Sequence, residues 1–431
     1  MDSGLLHEPR NKKPKLANDD DQEMIVIRKQ TLSQCYVNTT SSGNTGSGFD
    51  ILPRDVLLDV LVRLPISSLI KFRFVCRSCY AMSHDPELPR LHKAVVAKAD
   101  PILVFHCDYP IRNQLSFVEY DGDHGADKIV KKISTPFCHS MPEFNVVGSC
   151  NGLLCLSDSL FGEPVYVFNP FTRNYLELPK CRQFQDQEVL FGFGFHPVTN
   201  EYKVVRIVYY RTPRRLIRNH RSYPRSEVHV LTIGEPKSNN SWRCLGKAPY
   251  QLDRQAKDVV VVNGRLHWVS RPGRLGGLGG LTGRTIVSFD LKDEQFKLVS
   301  KPVNRSNYHL TVIDGCLAAA VSCGYGKLEI WVMKEYDVKE SWMKRFDIHG
   351  AYLAKVPSHD YGIWRKAMHE KMVRVLCVLK NGEILMEYRG GSLVKYDPKW
   401  KEFKDVVFHG MPKLFQTIVH VGSLNWTHTP I

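Results

Sequence analysis

The stretch Asp50-Ile-Leu-Pro-Arg-Asp-Val-Leu-Leu-Asp-Val-Leu-Val-Arg-Leu-Pro-Ile-Ser-Ser-Leu-Ile-Lys-Phe-Arg-Phe-Val-Cys-Arg-Ser-Cys-Tyr-Ala-Met82 decides the fold of the N-terminal part. Two Leu-Pro pairs, Leu52-Pro53 and Leu64-Pro65, frame one short helix. Proline suits a helix start because the N–H it lacks would be unpaired there anyway. Ser67 and Ser68 are placed to cap a second helix running into Val75-Cys76-Arg77. Twenty of these 33 residues are apolar, against 43% of the whole chain. Val56, Leu57, Leu58, Val60, Leu61 and Val62 wrap nearly all round the first helix. A helix that is apolar all round is buried on more than one side. A unit of roughly 40 residues cannot supply that burial by itself, so the segment requires a partner protein.

The same stretch resembles the F-box over its full length. Leu52, Pro53, Val60, Leu64, Pro65, Leu69, Val75 and Cys76 match that family's pattern: two Leu-Pro pairs round an aliphatic helix, a Leu four residues on, then Val-Cys. Cys79 stands where the family usually has Trp. The resemblance implies docking on the Skp adaptor of cullin-based ubiquitin ligases. The candidate adaptor-binding residues are Leu52, Pro53, Leu57, Val60, Leu61, Leu64, Pro65, Leu69, Val75 and Cys76. Some of these will be internal core; sequence does not divide the two sets, because both roles need apolar side chains.

Around this segment, a length of 431 residues allows two or three domains. An apolar content of 43% and a charged content of 24% are those of a soluble globular protein. No apolar run reaches the roughly 18 residues of a transmembrane helix, and Met1 to Asn18 lacks the apolar core of a signal peptide. Arg10-Asn-Lys-Lys-Pro-Lys15 is a weak nuclear-import-like cluster or a solvated basic tail. The expected location is cytoplasmic, nuclear or both. Twelve cysteines in such a chain suggest reduced thiols. Cys76-Arg-Ser-Cys79 has redox or zinc spacing, but no second pair follows at finger spacing, so no metal is expected.

The net charge of +15 is local. Residues 201–250 hold 11 Lys/Arg against 3 Asp/Glu, and Arg211 to Arg225 alone contains six arginines. Residues 1–48 are polar and then Ser/Thr/Gly/Asn-rich, and read as a disordered tail and linker. Residues 49–98 read as helical, with Pro86 beginning a last helix that carries Leu88, Leu91, Val95 and Val96.

From about residue 101 short β-rich runs recur between Gly, Asn, Asp and Pro, among them Ile102–His106, Val165–Phe168, Tyr202–Val208, Val228–Ile233 and Leu328–Val332. A loose internal repeat joins a turn dipeptide to an apolar strand at Asn151-Gly152, Asn263-Gly264, Asp314-Gly315 and Asn381-Gly382. Each unit ends on an aromatic: Tyr175, Trp242, Phe296, Trp342 and Phe403, spaced 67, 54, 46 and 61 residues apart. That is the size of a propeller blade, and such aromatics are expected to pack between neighbouring blades. Gly148-Ser-Cys-Asn-Gly-Leu-Leu-Cys155, Asn169-Pro-Phe-Thr-Arg173, Phe191-Gly-Phe-Gly-Phe-His-Pro197 and Tyr202-Lys-Val-Val205 resemble the F-box-associated domain of plant-type F-box proteins. The likeness covers roughly residues 100–408 and implies a kelch-like, propeller-like substrate-binding domain. With a first blade in 101–136, the count is about six, and Leu414 to Val421 is placed to close the ring on that first blade.

The chain lacks a Gly-x-Ser-x-Gly nucleophile turn, and His369-Glu370 lacks the second His of a zinc-protease helix. The Gly276–Gly283 run, flanked by Arg271, Arg274 and Arg284, reads as an inter-strand loop rather than a dinucleotide site. His196 and His267 read as packed core histidines; Glu163, Asp290 and Asp314 are isolated carboxylates. The expected architecture is therefore α+β and multidomain: a small helical F-box, 49–98, then a mostly β, propeller-like domain, 100–425. The expected role is a non-catalytic substrate receptor without cofactor, linking the Skp-type adaptor, and through it the cullin scaffold, to a target protein. Arg214, Arg215, Arg218 and Arg221 are the candidate target-binding residues. Three alternatives stand beside it: a carbohydrate- or phosphate-binding propeller with a vestigial F-box, an enzyme built on the propeller, and a nucleic-acid binder using the arginine loop. Tyr223 is the one aromatic near those arginines, which gives little for stacking on single strands.

Overall fold

The computed structural model describes residues 52–424, apart from 97–99, 110–111, 121–127, 182–186, 211–224, 235–240, 254–258, 272, 275–280, 303–307, 325, 351–352, 354–372 and 389–390. The chain divides into two compact units, Met1–Leu88 and Pro89–Ile431. The tail expected over 1–48 lies outside the described residues.

Four helices come first: α1 (Arg54–Leu61), α2 (Ile66–Phe72), α3 (Arg77–Ser83) and α4 (Glu87–Val96). The two Leu-Pro pairs act alike. Pro53 and Pro65 are the residues just before α1 and α2, with φ/ψ of −56/143° and −55/147°. The Pro53 carbonyl accepts the N–H groups of Val56 and Leu57, and the Pro65 carbonyl those of Ser68 and Leu69. Ser67 and Ser68 therefore do not cap α2 as expected; they lie inside its first turn, and no side chain caps it. Proline serves because its fixed φ fits the extended entry to a helix and the N–H it lacks would have no helical partner. Arg54 ties the start of α1 to the entry of α4, through Asp85 just before it at 2.9 and 3.0 Å and Glu87, its first residue, at 2.8 Å.

The second unit is a six-bladed β-propeller. Its strands are β1 (Ile102–Tyr109), β2 (Gln114–Glu119) and β3 (Lys131–Ile133); β4 (Phe144–Cys150), β5 (Leu153–Asp158), β6 (Val165–Phe168) and β7 (Tyr175–Glu177); β8 (Gln187–His196), β9 (Glu201–Tyr210), β10 (Ser226–Ile233) and β11 (Arg243–Gly246). There follow β12 (Val260–Val262), β13 (Arg265–Val269), the short pair β14 (Gly273–Arg274) and β15 (Leu281–Thr282), β16 (Ile286–Asp290) and β17 (Phe296–Val299). The last are β18 (Tyr308–Ile313), β19 (Cys316–Gly324), β20 (Lys327–Met333), β21 (Trp342–His349), β22 (Val373–Val378), β23 (Ile384–Tyr388), β24 (Ser392–Asp397), β25 (Glu402–Val406) and β26 (Leu414–His420). Six antiparallel four-stranded sheets result, and β26 completes the first in the order β26-β1-β2-β3.

The turn dipeptides set the hairpins. Asn151-Gly152, Asn263-Gly264 and Asp314-Gly315 have positive φ at both residues, between 49° and 84°, as a two-residue hairpin turn requires. Asn381-Gly382 differs: the loop between β22 and β23 holds five residues, and of this dipeptide Gly382 alone has positive φ. A second repeat joins the third and fourth strands of three blades. Asn169, Asp290 and Asp397 each accept two backbone N–H groups with one side-chain oxygen. Each turn then closes on a left-handed residue: Arg173, Glu294 or Lys401.

Blade-to-blade packing explains the Phe-Gly-Phe-Gly-Phe motif. Phe191, Phe193 and Phe195 join a core with Leu153, Cys155, Val165 and Val167 of the preceding blade. Gly192 and Gly194 point the other way; a Cβ on Gly192 would lie 2.6 Å from Trp268 and 2.9 Å from Leu266 of the next blade. The closing tryptophans bridge blades as expected. Trp242 donates its indole N–H to the Pro179 carbonyl at 2.6 Å, and Trp342 donates to the Ser300 carbonyl at 2.9 Å, each acceptor lying just beyond the outer strand of the preceding blade. Tyr175 departs from this: it is exposed and touches Phe137 and Tyr166 at the ring edge.

Ring closure by the C-terminal run was expected and is found. β26 pairs with β1 from His420 opposite Ile102 to Phe415 opposite Cys107. Buried polar contacts hold it on both sides. Towards the sixth blade, Glu387 accepts the Thr417 N–H at 2.9 Å and pairs with Arg374, which also donates to the Thr417 carbonyl. Towards the second blade, Ser149 Oγ meets His420 Nδ1 at 2.9 Å, and the Asn169 amide donates to the Ser423 carbonyl at 2.9 Å. Gly152, at φ +84°, leaves the space that Ser423 fills; a Cβ there would lie 2.2 Å from it.

Candidate functional site

Within the helical unit the apolar residues separate into two stripes. Leu57, Leu58, Leu61 and Val62 of the first helix and its end are buried, with Ile66, Leu69, Cys79 and Leu88. Val56 and Val60, four residues apart on one face of α1, remain exposed. Leu52, Phe74, Val75 and Tyr80 are exposed too, Val60 at 53% and Val75 at 62%. Exposed residues of this size and density on so short a unit are the mark of an interaction surface.

The ten sequence-derived candidates divide accordingly. Leu52, Pro53, Val60, Pro65 and Val75 are exposed; Leu64 and Cys76 are half-buried; Leu57, Leu61 and Leu69 are inside the unit. Val56, Phe74 and Tyr80 were not among the candidates and share the exposed class. For Val56 a signal was present: it is the i−4 neighbour of Val60. Phe74 and Tyr80 carried none: Phe74 lies in the short turn between α2 and α3, and the seven residues of α3, where Tyr80 lies, are too few for a period to separate inward from outward positions.

The proposed target-binding arginines, Arg214, Arg215, Arg218 and Arg221, lie outside the described residues, as do 275–280 of the glycine run and His369-Glu370. Arg225, at the end of the arginine segment, pairs with Glu227 at 3.0 Å and stacks over Tyr210.

Residues that suggest chemistry are occupied in holding the fold. Burial lowers His267 to about 4; its ring nitrogens meet the Val260 carbonyl at 3.2 Å and the Tyr336 hydroxyl at 2.7 Å. His196 Nδ1 accepts the Thr199 N–H at 3.1 Å. Burial lowers His420, on the closing strand, to about 3. Glu163 accepts the Cys181 N–H at 2.8 Å, Asp290 pairs with Arg265 at 2.7 Å, and Asp314 pairs with Arg345. Arg284, beside the glycine run, pairs with buried Asp253. Among the described residues no three His, Cys, Asp or Glu side chains gather as a metal site. No described helix is long and apolar enough to cross a membrane.

Comparison with known proteins accounts for both units. The F-box domain family matches residues 49–91, and the family described as the F-box associated beta propeller domain matches residues 102–427. Among curated proteins of Arabidopsis thaliana, the F-box protein At3g07870 is 47% identical over 403 residues, covering 90% of this chain and 94% of that one. The F-box protein CPR1 is 27% identical, covering 86% and 88%. The F-box/kelch-repeat protein At3g23880 is 24% identical, covering 69% and 80%. With a helical unit that leaves an apolar face uncovered, a closed six-bladed propeller and these relatives, the chain belongs to the F-box proteins that carry an F-box-associated β-propeller domain.

Proposed function

We propose that the protein is the substrate-recognition subunit of a Skp-cullin-F-box ubiquitin ligase, with no catalytic residue of its own. The observation that supports this most is the exposed apolar set Leu52, Val56, Val60, Phe74, Val75 and Tyr80 on the F-box unit. A Skp-type adaptor covers this surface, with Pro53, Leu64, Pro65 and Cys76 at its margin. Leu57, Leu61 and Leu69 act behind it, holding α1 and α2 in place. The propeller binds a target protein. The two units joined in one chain hold the target's lysines near a ubiquitin-loaded conjugating enzyme on the cullin scaffold. Effective concentration then replaces active-site chemistry. A cytoplasmic or nuclear location accords with such a ligase.

Arg214, Arg215, Arg218 and Arg221 recruit an acidic or phosphorylated target by long-range attraction, an effect that salt screens. The test uses the full chain with a purified Skp-type adaptor and, in cells with the proteasome blocked, proximity labelling to find the target. The reading expects a stoichiometric adaptor complex. Changing the four arginines to Ser should slow target association at low salt and leave adaptor binding untouched. A full chain that fails to retain the adaptor contradicts the ligase reading; an unchanged association rate at low salt contradicts the arginine role alone.

A further inference from the structure

Cys76 borders the exposed apolar surface and Cys79 belongs to the buried set, yet their side chains stand together. Their sulfurs are 3.2 Å apart. The geometry is set by the helix start. Cys76 is the residue before α3, in extended conformation at φ −157°, and its Sγ accepts the Cys79 N–H at 3.4 Å. The Cys76 carbonyl accepts the Tyr80 N–H at 2.9 Å, which fixes the first turn of the helix. A disulfide needs sulfurs about 2.05 Å apart. The pair is thus short of a bond by roughly 1 Å, a displacement that small side-chain rotations supply without moving the helix. Access is unequal: Cys76 is half-exposed and Cys79 is fully buried.

We propose that Cys76 and Cys79 form a reversible dithiol–disulfide couple, closed by a small-molecule disulfide oxidant of the glutathione type. The Cys76 thiolate attacks one sulfur of the oxidant, forming a mixed disulfide and releasing one thiolate. That thiolate takes up the proton Cys76 lost. The Cys79 thiolate then attacks the Cys76 sulfur, the internal S–S bond forms, and the second small thiol leaves with the proton of Cys79. Two protein thiols are oxidised and one small disulfide is reduced to two thiols. Burial pushes the Cys79 thiol up to about 12, so reaction begins at Cys76, the sulfur that solvent reaches. The second step is intramolecular over 3.2 Å, which favours closure over a lasting mixed disulfide. Closure fastens the segment bearing exposed Val75 to the first turn of α3. Its effect on adaptor docking rests on the reading above; the thiol chemistry does not.

The test places the full chain in glutathione redox buffers, quenches with an alkylating agent and digests with trypsin without reduction. Cleavage after Arg73, Arg77 and Arg90 leaves Phe74–Arg77 and Ser78–Arg90 as separate peptides unless a disulfide links them. The expected result is a linked pair that grows as the buffer becomes oxidising and disappears on returning to reducing buffer. Exposed Cys138 and Cys244 report that the oxidant is delivered, because they can be glutathionylated but not closed onto a partner at 3.2 Å. Cys76→Ser, at a half-exposed position, should abolish the linked pair and leave Cys79 unmodified. Glutathione retained on Cys76 with no internal link overturns the proposal. So does a pair that remains reduced while Cys138 and Cys244 react.

Discussion

Val60 and Leu61 are neighbours in α1, one exposed and the other buried, and that division runs through the whole helical unit. Six large apolar residues stand exposed in residues 52–88, against thirteen spread over all the described residues after them. The propeller treats the same kind of side chain differently. Its inward aromatics, Phe105, Phe168, Phe193, Trp268 and Phe289, are wholly buried between blades. Its edge is removed by β26 pairing with β1. A ring of six sheets satisfies its own apolar faces and backbone groups; four short helices cannot, and leave surface for a second molecule. Stability of the propeller is therefore internal, while the F-box unit keeps an apolar surface exposed.

The largest effect expected from this contrast concerns ring closure. Ending the chain before Leu414 removes β26, exposes the edge of β1 and strands Arg374 and Glu387 beside the place of Thr417. The truncated protein should aggregate or unfold while residues 52–88 keep their helices, readable by light scattering and by hydrogen exchange. A monomeric truncated protein with unchanged melting temperature breaks the closure account.

A smaller effect is expected at Gly192. Gly192→Ala places a methyl group 2.6 Å from Trp268 and should cost about 1–3 kcal/mol by overpacking the third and fourth blades. Chemical denaturation followed by tryptophan fluorescence measures this selectively, because all seven tryptophans lie beyond the helical unit. A neutral substitution would mean that the glycines of the Phe-Gly-Phe-Gly-Phe motif do not set blade spacing.

Acid sharpens the contrast further. Burial holds His267 near 4 and His420 near 3 in the folded propeller, below the ordinary value near 6.5 that they regain on unfolding. Between those values the unfolded chain binds the extra protons. The propeller then has its full stability above about pH 6.5 and loses it as pH falls, on the order of 1 kcal/mol per pH unit for each histidine. Tryptophan-detected melting temperature should fall between pH 7 and 5, and fall less in His420→Gln. An equal fall in the variant would locate the acid sensitivity elsewhere.

Much of this fold is legible in the sequence, and for identifiable reasons. Asn151-Gly152, Asn263-Gly264 and Asp314-Gly315 announce hairpins because few other residues tolerate their φ. Leu52-Pro53 and Leu64-Pro65 mark helix starts because proline is excluded from helix interiors. The capping of α2 was misassigned to Ser67 and Ser68 because a serine inside the first turn has the same composition as one at the cap. The division of the F-box candidates was not legible, since Val60 and Leu61 are chemically alike and differ in the direction they face. Nor did the sequence reveal that Ser149, Gly152 and Asn169 secure the closing segment at His420 and Ser423. Those contacts join positions some 250–270 residues apart, and no local pattern encodes them.

The central claim is that the exposed stripe, and not the buried one, meets the adaptor. Calorimetric titration of the full chain with a Skp-type adaptor tests it, comparing wild type with a Val60→Glu, Val75→Glu double variant. Both positions are exposed, so the helices and the melting temperature should be unchanged. Loss of two interface anchors should cost about 2–4 kcal/mol, a fall in affinity of roughly thirtyfold or more. A double variant that folds normally and binds the adaptor as tightly as wild type would contradict the account.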